Sequence, residues 1–456
     1  HESSTNSKYM YSFFRHNFII TIKNDYKIDL FSSIIPMMKA KNAIYAQSGG
    51  VTSVINTTAC AVIQAARKSK KINKVYAGKD GIVGILNEDL IDTSIESDEE
   101  IKKLMHTPGG VFGSCRHKLK DVNQSKKEYN RLIEVFKAHD IGYFFYNGGG
   151  DSQDTSNKIA QYTKDAGFPV TCIGIPKTID NDLPYTDNCP GFGSVAKYIA
   201  TSTKEAALDV KSMSKSSTKV FIFEVMGRHA GWLAASSGLA KSKNNSAPHI
   251  ILLPEVPFNE TKFLKKVKDV IKKDGYCVIV VSEGAKYKNG KFLADAGTID
   301  SFGHKQLGGV APRVAEMINK KLGLKYHWAV SDYLQRSARH ISSQVDLDQA
   351  YAVGKAAVQF AVSGENSIMP IIVRKKSKPY VWEVGKVELS KVANIEKKMP
   401  KNFISKDGFG ITASCKNYLS PLIQGEAWAP FKDGVIDTVS LKNKPVKKKL
   451  KAFKFN

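Results

Sequence analysis

The sequence predicts an α/β protein whose parallel β-sheets carry helices on both faces. Short apolar segments alternate with longer amphipathic segments, and this βαβα order is typical of parallel sheets. The chain has 456 residues, which is enough for two or three domains. Hydrophobic residues make up 42% of it and charged residues 24%, and no apolar run approaches the roughly 20 residues of a membrane span. The composition therefore predicts a soluble globular protein.

Short runs of apolar and β-branched residues predict strands, and longer runs with apolar residues at helical spacing predict helices. The predicted strands are 43–47, 74–77, 142–146, 170–175, 220–225, 249–253, 277–281 and 369–373. The predicted helices are 53–69, 152–166, 192–210, 230–241 and 310–322, with a lysine-rich surface helix at 263–273. In such an arrangement the carboxyl ends of the strands meet at one edge of the sheet, where ligands bind.

Two carboxylates flank an amide directly after the fourth predicted strand. Lys177, Thr178, Asp180 and Asp182 follow the segment 170–175. An ammonium and a hydroxyl can bind phosphate oxygens, and the carboxylates can accept a proton or hold Mg²⁺. A turn in which aspartate and asparagine side chains form local caps is the alternative.

The same residues resemble the hallmark of the phosphofructokinase family, a Thr-Ile-Asp-Asn-Asp run after this strand. Further motifs similar to the family's occur in the family's order. They are 48–50, 147–152, 226–228, 282–284 and 335–336. The resemblance implies the phosphofructokinase fold, with two Rossmann-like three-layer α/β domains whose parallel-rich sheets face each other across a cleft. The donor would bind to 38–190 together with about 346–375, and the sugar phosphate to 191–345.

Two segments lie outside this family pattern. Residues 1–37 are interpreted as an N-terminal extension, either an added helix or strand packed on the core or a leader segment. Residues 376–456 are interpreted as a C-terminal extension or lid, to which the sequence assigns no chemistry.

The phosphoryl donor can be argued from two positions. Asp151 ends the glycine loop, and Lys177 stands where ATP-using relatives have a glycine. A carboxylate would oppose a nucleotide phosphate in the same place, and a lysine would fill nucleotide space while holding a compact anion as a point charge. In the family this pairing marks the pyrophosphate-dependent branch. A plain helix N-cap is the alternative role for Asp151.

The resemblance also implies the residues that bind donor and metal. The implied donor-binding residues are Gly49, Arg116, Gly149, Gly150, Asp151 and Ser152. Mg²⁺ is the implied cofactor, with Asp151, Asp180 and Asp182 as ligands and Asp154 as a weaker candidate. Gly150 replaces the first of two successive aspartates found in better-known pyrophosphate enzymes. A structural cation is the alternative for Arg116.

Fructose 6-phosphate is the implied acceptor. The implied substrate-binding residues are Thr178, Asp180, Asp182, Lys219, Met226, Gly227, Arg228, Glu283, Arg336 and Arg339. Asp180 would be the general base, while Lys177 and Thr178 would stabilise charge on the transferring group. Lys219 matches a cation that often reaches in from a neighbouring subunit, so a homodimer or homotetramer is expected. Arg339 or His340 could replace a phosphate ligand, and a structural role is the alternative.

The charge and cysteine content limit the partners. The net charge of +25 comes mostly from scattered lysines, which a solvated surface explains better than a nucleic-acid footprint, and no membrane partner is expected. The six cysteines form no CxxC pair and predict reduced thiols in a cytoplasmic protein.

The implied activity is reversible phosphorylation of fructose 6-phosphate by pyrophosphate, in glycolysis or gluconeogenesis. An ATP-dependent enzyme of the same family and a noncatalytic regulatory subunit or metabolite sensor are the alternatives. Because Lys177, Asp180 and Asp182 are all intact, an enzyme is favoured over a noncatalytic subunit.

Overall fold

The computed structural model describes residues 40–294 and 307–455 of the chain. The strands are β1 (Lys41–Gln47), β2 (Ile72–Gly78), β3 (Leu90–Asp92), β4 (Ile141–Gly148), β5 (Thr171–Pro176), β6 (Val220–Val225), β7 (Ile250–Leu252), β8 (Cys277–Ser282), β9 (Tyr326–Val330), β10 (Ile368–Ser377), β11 (Tyr380–Glu388), β12 (Phe431–Lys432) and β13 (Val435–Ile436). The helices are α1 (Ile55–Arg67), α2 (Gly81–Leu86), α3 (Asp98–Lys103), α4 (Val122–Ala138), α5 (Gly150–Asp165), α6 (Phe192–Met213), α7 (Trp232–Ser236), α8 (Glu260–Asp274), α9 (Val310–Leu322), α10 (Asp332–Ser337), α11 (Gln344–Val362) and α12 (Ala413–Leu419). The predicted extension 1–37 lies outside the described residues.

Two parallel-rich sheets organise these elements. The larger has the order β11-β10-β5-β4-β1-β2-β3, in which β3 and β11 at the edges run antiparallel to their neighbours. The smaller has the order β7-β8-β6-β9 and is parallel throughout. The predicted α/β fold class is therefore confirmed. The predicted domain boundaries stay a prediction.

The larger sheet is buried on both faces. Its central strands are accordingly almost continuously apolar in sequence. Phe144 and Phe145 are neighbours on β4 and point to opposite faces. Phe145 packs in one core cluster with residues of α1 and α11, such as Val62 and Val353, whereas Phe144 packs in another with Phe136 of α4. Helices on both faces give this sheet a three-layer arrangement.

Two of the strands that the sequence did not predict, β9 and β11, lie at sheet edges. β9 has no fully buried residue and includes the exposed Trp328, and β11 alternates exposed with half-buried side chains. Neither strand produces a continuous apolar run. The predicted helix 230–241 contains only the short α7 followed by a 3₁₀ turn, Ser237–Ala240, because serine and glycine interrupt the helical residues there.

All the motif segments except 335–336, which lies in α10, form loops at the carboxyl ends of strands. Residues 48–50 follow β1, 149–151 follow β4 and 177–182 follow β5, while 226–228 follow β6 and 283–284 follow β8. The fold therefore gathers them at the sheet edges where ligands bind in open α/β proteins. No helix among the described residues has the length and apolarity to cross a membrane.

Asp346, in the first turn of α11, fixes the start of α6 after the loop of β5. Its carboxylate accepts hydrogen bonds from the backbone N–H groups of Gly191 (2.9 Å) and Ser194 (3.0 Å) and from the Ser194 hydroxyl (2.6 Å). The side chain is fully buried. Asp346 therefore satisfies helix N–H groups that have no partner within α6.

We expect Asp346→Ala to lower the free energy of unfolding by about 3 kcal/mol, because it leaves several buried donors without an acceptor. Calorimetry should show a lower Tm. The matched control is Asp348→Ala on the same helix, since Asp348 is exposed and accepts only a surface hydrogen bond from Gln344. Equal Tm values for the two variants would contradict this role of Asp346.

Candidate active site

A cleft of about 610 Å³ lies between loops of the two sheets. Gly149 and Lys177 line it from the larger sheet, and Met226, Arg228 and Glu283 line it from the smaller one. The remaining charged residues in its wall are Arg116, Asp151, Asp180, Asp182, His229, Asp332, Arg336, Glu396 and Lys398. The cleft is therefore polar and contains both signs of charge.

The loop after β5 places the predicted catalytic residues in this cleft. Lys177 and Thr178 are buried, and the Thr178 hydroxyl accepts a hydrogen bond from the backbone N–H of Asp180 (3.0 Å). Asn181 has φ of 55°, in the left-handed region that asparagine tolerates better than most residues. This reversal lies between Asp180 and Asp182, both of which line the cleft.

Burial shifts the protonation of these groups towards neutrality. Desolvation, followed by the charges of Asp182 and Glu283, raises the pKa of Asp180 to about 7. Desolvation also raises the pKa of Asp182. The pKa of Lys177 is lowered to about 8 by burial, against the opposing effect of the two aspartates. A carboxylate with a pKa close to neutral is suited to act as a general base.

The two aspartates fit a divalent cation. The Oδ1 atom of Asp182 is buried and has no hydrogen-bond partner among the described residues. A cation beside Asp180 and Asp182 would satisfy this oxygen and reduce the repulsion between the carboxylates. The described part of the chain contains no group of three or more His, Cys, Asp or Glu residues arranged to hold a metal. Mg²⁺ commonly binds to only a few protein carboxylates, and water and phosphate oxygens complete its coordination.

The glycine loop differs in detail from the prediction. α5 begins at Gly150, so the N-cap is Gly149, and the Asp151 carboxylate instead pairs with Lys118, with 2.5 Å between Oδ1 and Nζ. The alternative of a plain N-cap role for Asp151 is therefore wrong. Asp154 does not line the cleft and pairs with Lys158 at 2.8 Å.

The predicted donor residues are only partly brought together. Arg116, Gly149 and Asp151 line the cleft. The Ser152 hydroxyl is buried and donates to the Ser48 hydroxyl at 2.8 Å, and Ser152 does not line the cleft. Gly150 does not line the cleft.

Gly50 lines the cleft in place of the predicted Gly49. Gly49 lies behind it with a positive φ of 73°. A Cβ atom at Gly49 would lie 3.3 Å from Nζ of Lys177, so glycine leaves this ammonium its space. A Cβ atom at Gly50 would lie 2.5 Å from Nη1 of Arg336. Arg336 therefore reaches across the cleft to the loop of the larger sheet.

The loops of the smaller sheet are joined by hydrogen bonds from backbone N–H groups to side-chain oxygens. The N–H of Gly227 donates to Glu283 Oε1 (3.3 Å), and the N–H of Met226 donates to Gln335 Oε1 (3.3 Å). Burial raises the pKa of Glu283. The Arg336 guanidinium stacks on Tyr333 at 3.9 Å from the ring centroid, and burial lowers its pKa.

Two predicted cations do not line the cleft. Arg339 is fully buried, and its guanidinium donates to the carbonyl oxygens of Met105 (3.1 Å) and Ala427 (2.5 Å) and contacts His106 Nδ1 (3.1 Å). This contradicts the predicted substrate contact, because all three guanidinium nitrogens have structural partners. Lys219 precedes β6 at the end opposite Met226 and donates to the Ser214 carbonyl. Its contribution to a neighbouring subunit's site stays a prediction.

Sequence reasoning missed the contribution of the C-terminal extension. Glu396 and Lys398 line the cleft, and Glu396 Oε1 lies 2.9 Å from Nδ1 of His229. The position of His229 directly after the 226–228 motif could have identified it. Glu396 and Lys398 belong to no motif, so no sequence signal indicated them.

Comparison with known proteins agrees with this architecture. The family model described as phosphofructokinase matches residues 42–361. A pyrophosphate–fructose 6-phosphate 1-phosphotransferase of Halomonas elongata is 59% identical over 418 residues, covering 91% of this chain and 100% of that protein. The enzyme of the same name from Methylococcus capsulatus is 57% identical over 416 residues, covering 91% of this chain and 99% of that protein.

The crystal structure of a pyrophosphate-dependent phosphofructokinase from Marinobacter aquaeolei is also similar. It matches with a TM-score of 0.84 and 59% identity, covering 91% of this chain and 100% of that chain. The family match spans most of the chain and includes the cleft loops of both sheets. The chain belongs to the phosphofructokinase family.

Proposed function

We propose that this protein transfers a phosphoryl group from pyrophosphate to the 1-hydroxyl of fructose 6-phosphate, giving fructose 1,6-bisphosphate and phosphate. The observation that carries the proposal is Lys177, whose buried ammonium fills the space beside Gly49 and lines the cleft. A buried point charge at this place suits a compact anion and leaves less room for a nucleotide. The relatives at 57–59% identity carry pyrophosphate in their names.

The cleft residues have distinct roles in this reaction. Asp180 accepts the proton of the 1-hydroxyl as its oxygen attacks the terminal phosphorus of pyrophosphate, and the bond from that phosphorus to the bridging oxygen breaks. Lys177 and Thr178 stabilise charge on the transferring group. Arg228 and Arg336 bind the 6-phosphate by charge-assisted hydrogen bonds. The equilibrium allows the reverse reaction through the same groups.

The sugar itself is oriented by the loops of the smaller sheet. Met226 lines the sugar site, Gly227 donates its backbone N–H to Glu283 Oε1, and Glu283 accepts hydrogen bonds from sugar hydroxyls. Gly149, Asp151 and Arg116 border the donor. These assignments rest on the common position of the residues in one cleft.

Mg²⁺ is the proposed cofactor, held by Asp182 and by the deprotonated form of Asp180, with water and pyrophosphate oxygens completing its coordination. When bound, it neutralises charge on the pyrophosphate. Asp151 is a weaker ligand, since its carboxylate is already paired with Lys118.

The remaining proposals concern context. We expect a cytoplasmic homodimer or homotetramer acting in glycolysis or gluconeogenesis, with Lys219 directed towards a neighbouring subunit. Its reactants are small phosphorylated molecules. A noncatalytic subunit is disfavoured by the retention of the full set Lys177, Asp180 and Asp182.

Turnover with alternative donors tests the proposed function. Purified protein, Mg²⁺ and fructose 6-phosphate are supplied with pyrophosphate or with ATP, and fructose 1,6-bisphosphate is measured. The proposal requires a much larger kcat/KM with pyrophosphate. A preference for ATP would support the ATP-dependent alternative, and no turnover with either donor would support the noncatalytic one.

We expect Asp180→Asn to lower kcat by roughly 10²–10⁴-fold, the usual contribution of a positioned base, with little change in fructose 6-phosphate binding. Steady-state kinetics with pyrophosphate measure the first quantity and calorimetry the second. Asp209→Asn is the control, because Asp209 is an exposed aspartate on α6. Wild-type kcat in Asp180→Asn would remove Asp180 as the base.

We expect Asp151→Gly to raise the ratio of kcat/KM for ATP to that for pyrophosphate, because it removes a carboxylate that opposes a longer phosphate chain. Lys177 still crowds the nucleotide, so the change should be partial. Lys118→Met is the matched control, since it breaks the Lys118–Asp151 pair but keeps the carboxylate. If the ratio stays the same in Asp151→Gly, another residue selects the donor.

A further inference from the structure

The loop that carries the predicted catalytic residues has little regular structure of its own. Residues 177–191, all within the described part of the chain, connect β5 to α6 without forming a helix or an extended strand. Connections longer than about 12–15 residues are uncommon unless they are functional. Asn181 and Tyr185 also have positive φ angles, of 55° and 65°. Such a loop needs contacts from elsewhere to hold two carboxylates in a reactive arrangement.

One lysine of the C-terminal extension makes these contacts. The ammonium of Lys397 donates to Asn181 Oδ1 (3.2 Å), to the Thr186 carbonyl (3.0 Å) and to the Asp187 carbonyl (3.0 Å). Its backbone N–H donates to the carbonyl of Asp182 (2.6 Å). An ammonium has three N–H groups, so each has an acceptor in this loop.

Lys397 is itself fixed from the other side. Its carbonyl accepts a hydrogen bond from Nε1 of Trp232 (3.3 Å), and its Nζ lies 5.6 Å from the Trp232 ring centroid. Trp232 belongs to α7, near the loop of the smaller sheet that contains Arg228. The lysine therefore connects the catalytic loop to the opposite wall of the cleft.

The hydrogen bonds from Lys397 connect the outgoing and the returning segments of the 177–191 loop. Asn181 lies between Asp180 and Asp182, whereas Thr186 and Asp187 lie on the returning segment. A single charged donor that bonds to both segments fixes their separation. The Asn181 side chain also donates from Nδ2 to the Tyr418 hydroxyl (2.9 Å), another residue of the extension.

We propose that Lys397 is a positioning residue for phosphoryl transfer, which holds the 177–191 loop so that Asp180 and Asp182 face the cleft. The inference rests on the proposed function. Lys397 is not among the residues that line the cleft, although its neighbours Glu396 and Lys398 are. It acts through Asn181 and the loop backbone.

The test is Lys397→Met, which keeps a long apolar side chain and removes the ammonium. Turnover is measured with pyrophosphate, Mg²⁺ and fructose 6-phosphate. Residues that orient reactive groups without touching the substrate typically contribute about 10–100-fold to activity. The kcat of Lys397→Met should therefore fall by about 10–100-fold. Calorimetry should show wild-type stoichiometry and affinity for fructose 6-phosphate, because the loops of the smaller sheet are unchanged. That stoichiometry separates a misplaced loop from a loss of folded protein.

Lys391→Met is the matched control. Lys391 belongs to the same extension, is exposed and pairs with Glu388 at 3.3 Å. The kcat of Lys391→Met should therefore equal that of the wild type. If Lys397→Met does not fold, Lys397→Gln replaces it, because an amide keeps polar character without the charge. The same kinetic and calorimetric criteria then apply.

The outcomes distinguish this inference from the proposed function. Wild-type kcat in the folded Lys397 variant would overturn the positioning role while leaving the proposed function intact. A fall in kcat matched by an equal fall in binding stoichiometry would also overturn it, since Lys397 would then support only folding. A wild-type enzyme without pyrophosphate-dependent turnover would instead refute the proposed function.

Discussion

The burial of two neighbouring carboxylates at the end of β5 is the constraint on which the rest of the site depends. Asp180 and Asp182 are removed from water in a cleft where charges interact more strongly than in solvent. Cations from both walls of the cleft must lie near Asp180 and Asp182 if these carboxylates are to ionise near neutral pH. Lys177 provides one such charge from the same loop, and Arg228 provides another from the smaller sheet. Both therefore lower the pKa of Asp180 and favour its basic form.

The opposite imbalance occurs beside Gly49 and Gly50, where cations from both sheets meet. Arg116, Lys177 and Arg336 approach one another there, and the charges of both arginines contribute to the lowered pKa of Lys177. Asp151 offsets little of this charge because Lys118 already neutralises it. A compact polyanion entering the site would reduce the repulsion between these cations and favour the protonated form of Lys177. Binding of such an anion and full protonation of the lysine therefore support each other.

Local patterns predicted most of the fold and the centre of the site. Lys177 and Asp180 follow a strand with a strong apolar pattern, so sequence spacing placed them at a sheet edge, whereas Asp151 was identified from the resemblance to the phosphofructokinase family. The prediction that Arg339 binds substrate was wrong because the sequence gives the residue type but not the direction of the side chain. The guanidinium donates to carbonyls that are remote in the chain. No sequence pattern indicated the role of Lys397, because its hydrogen-bond acceptors lie more than two hundred residues earlier in the chain.

The C-terminal extension contacts both walls of the cleft. β11 completes the larger sheet, and Lys397 donates hydrogen bonds to the loop after β5. The final segment packs along the same sheet's edge, where the N–H of Val446 donates to the carbonyl of Leu90 at 2.8 Å. It ends with the Phe455 ring 6.0 Å from the ring of His117, the residue between Arg116 and Lys118. Because one segment contacts both the loop after β5 and the loop that contains Arg116, docking of the extension fixes the two loops relative to each other.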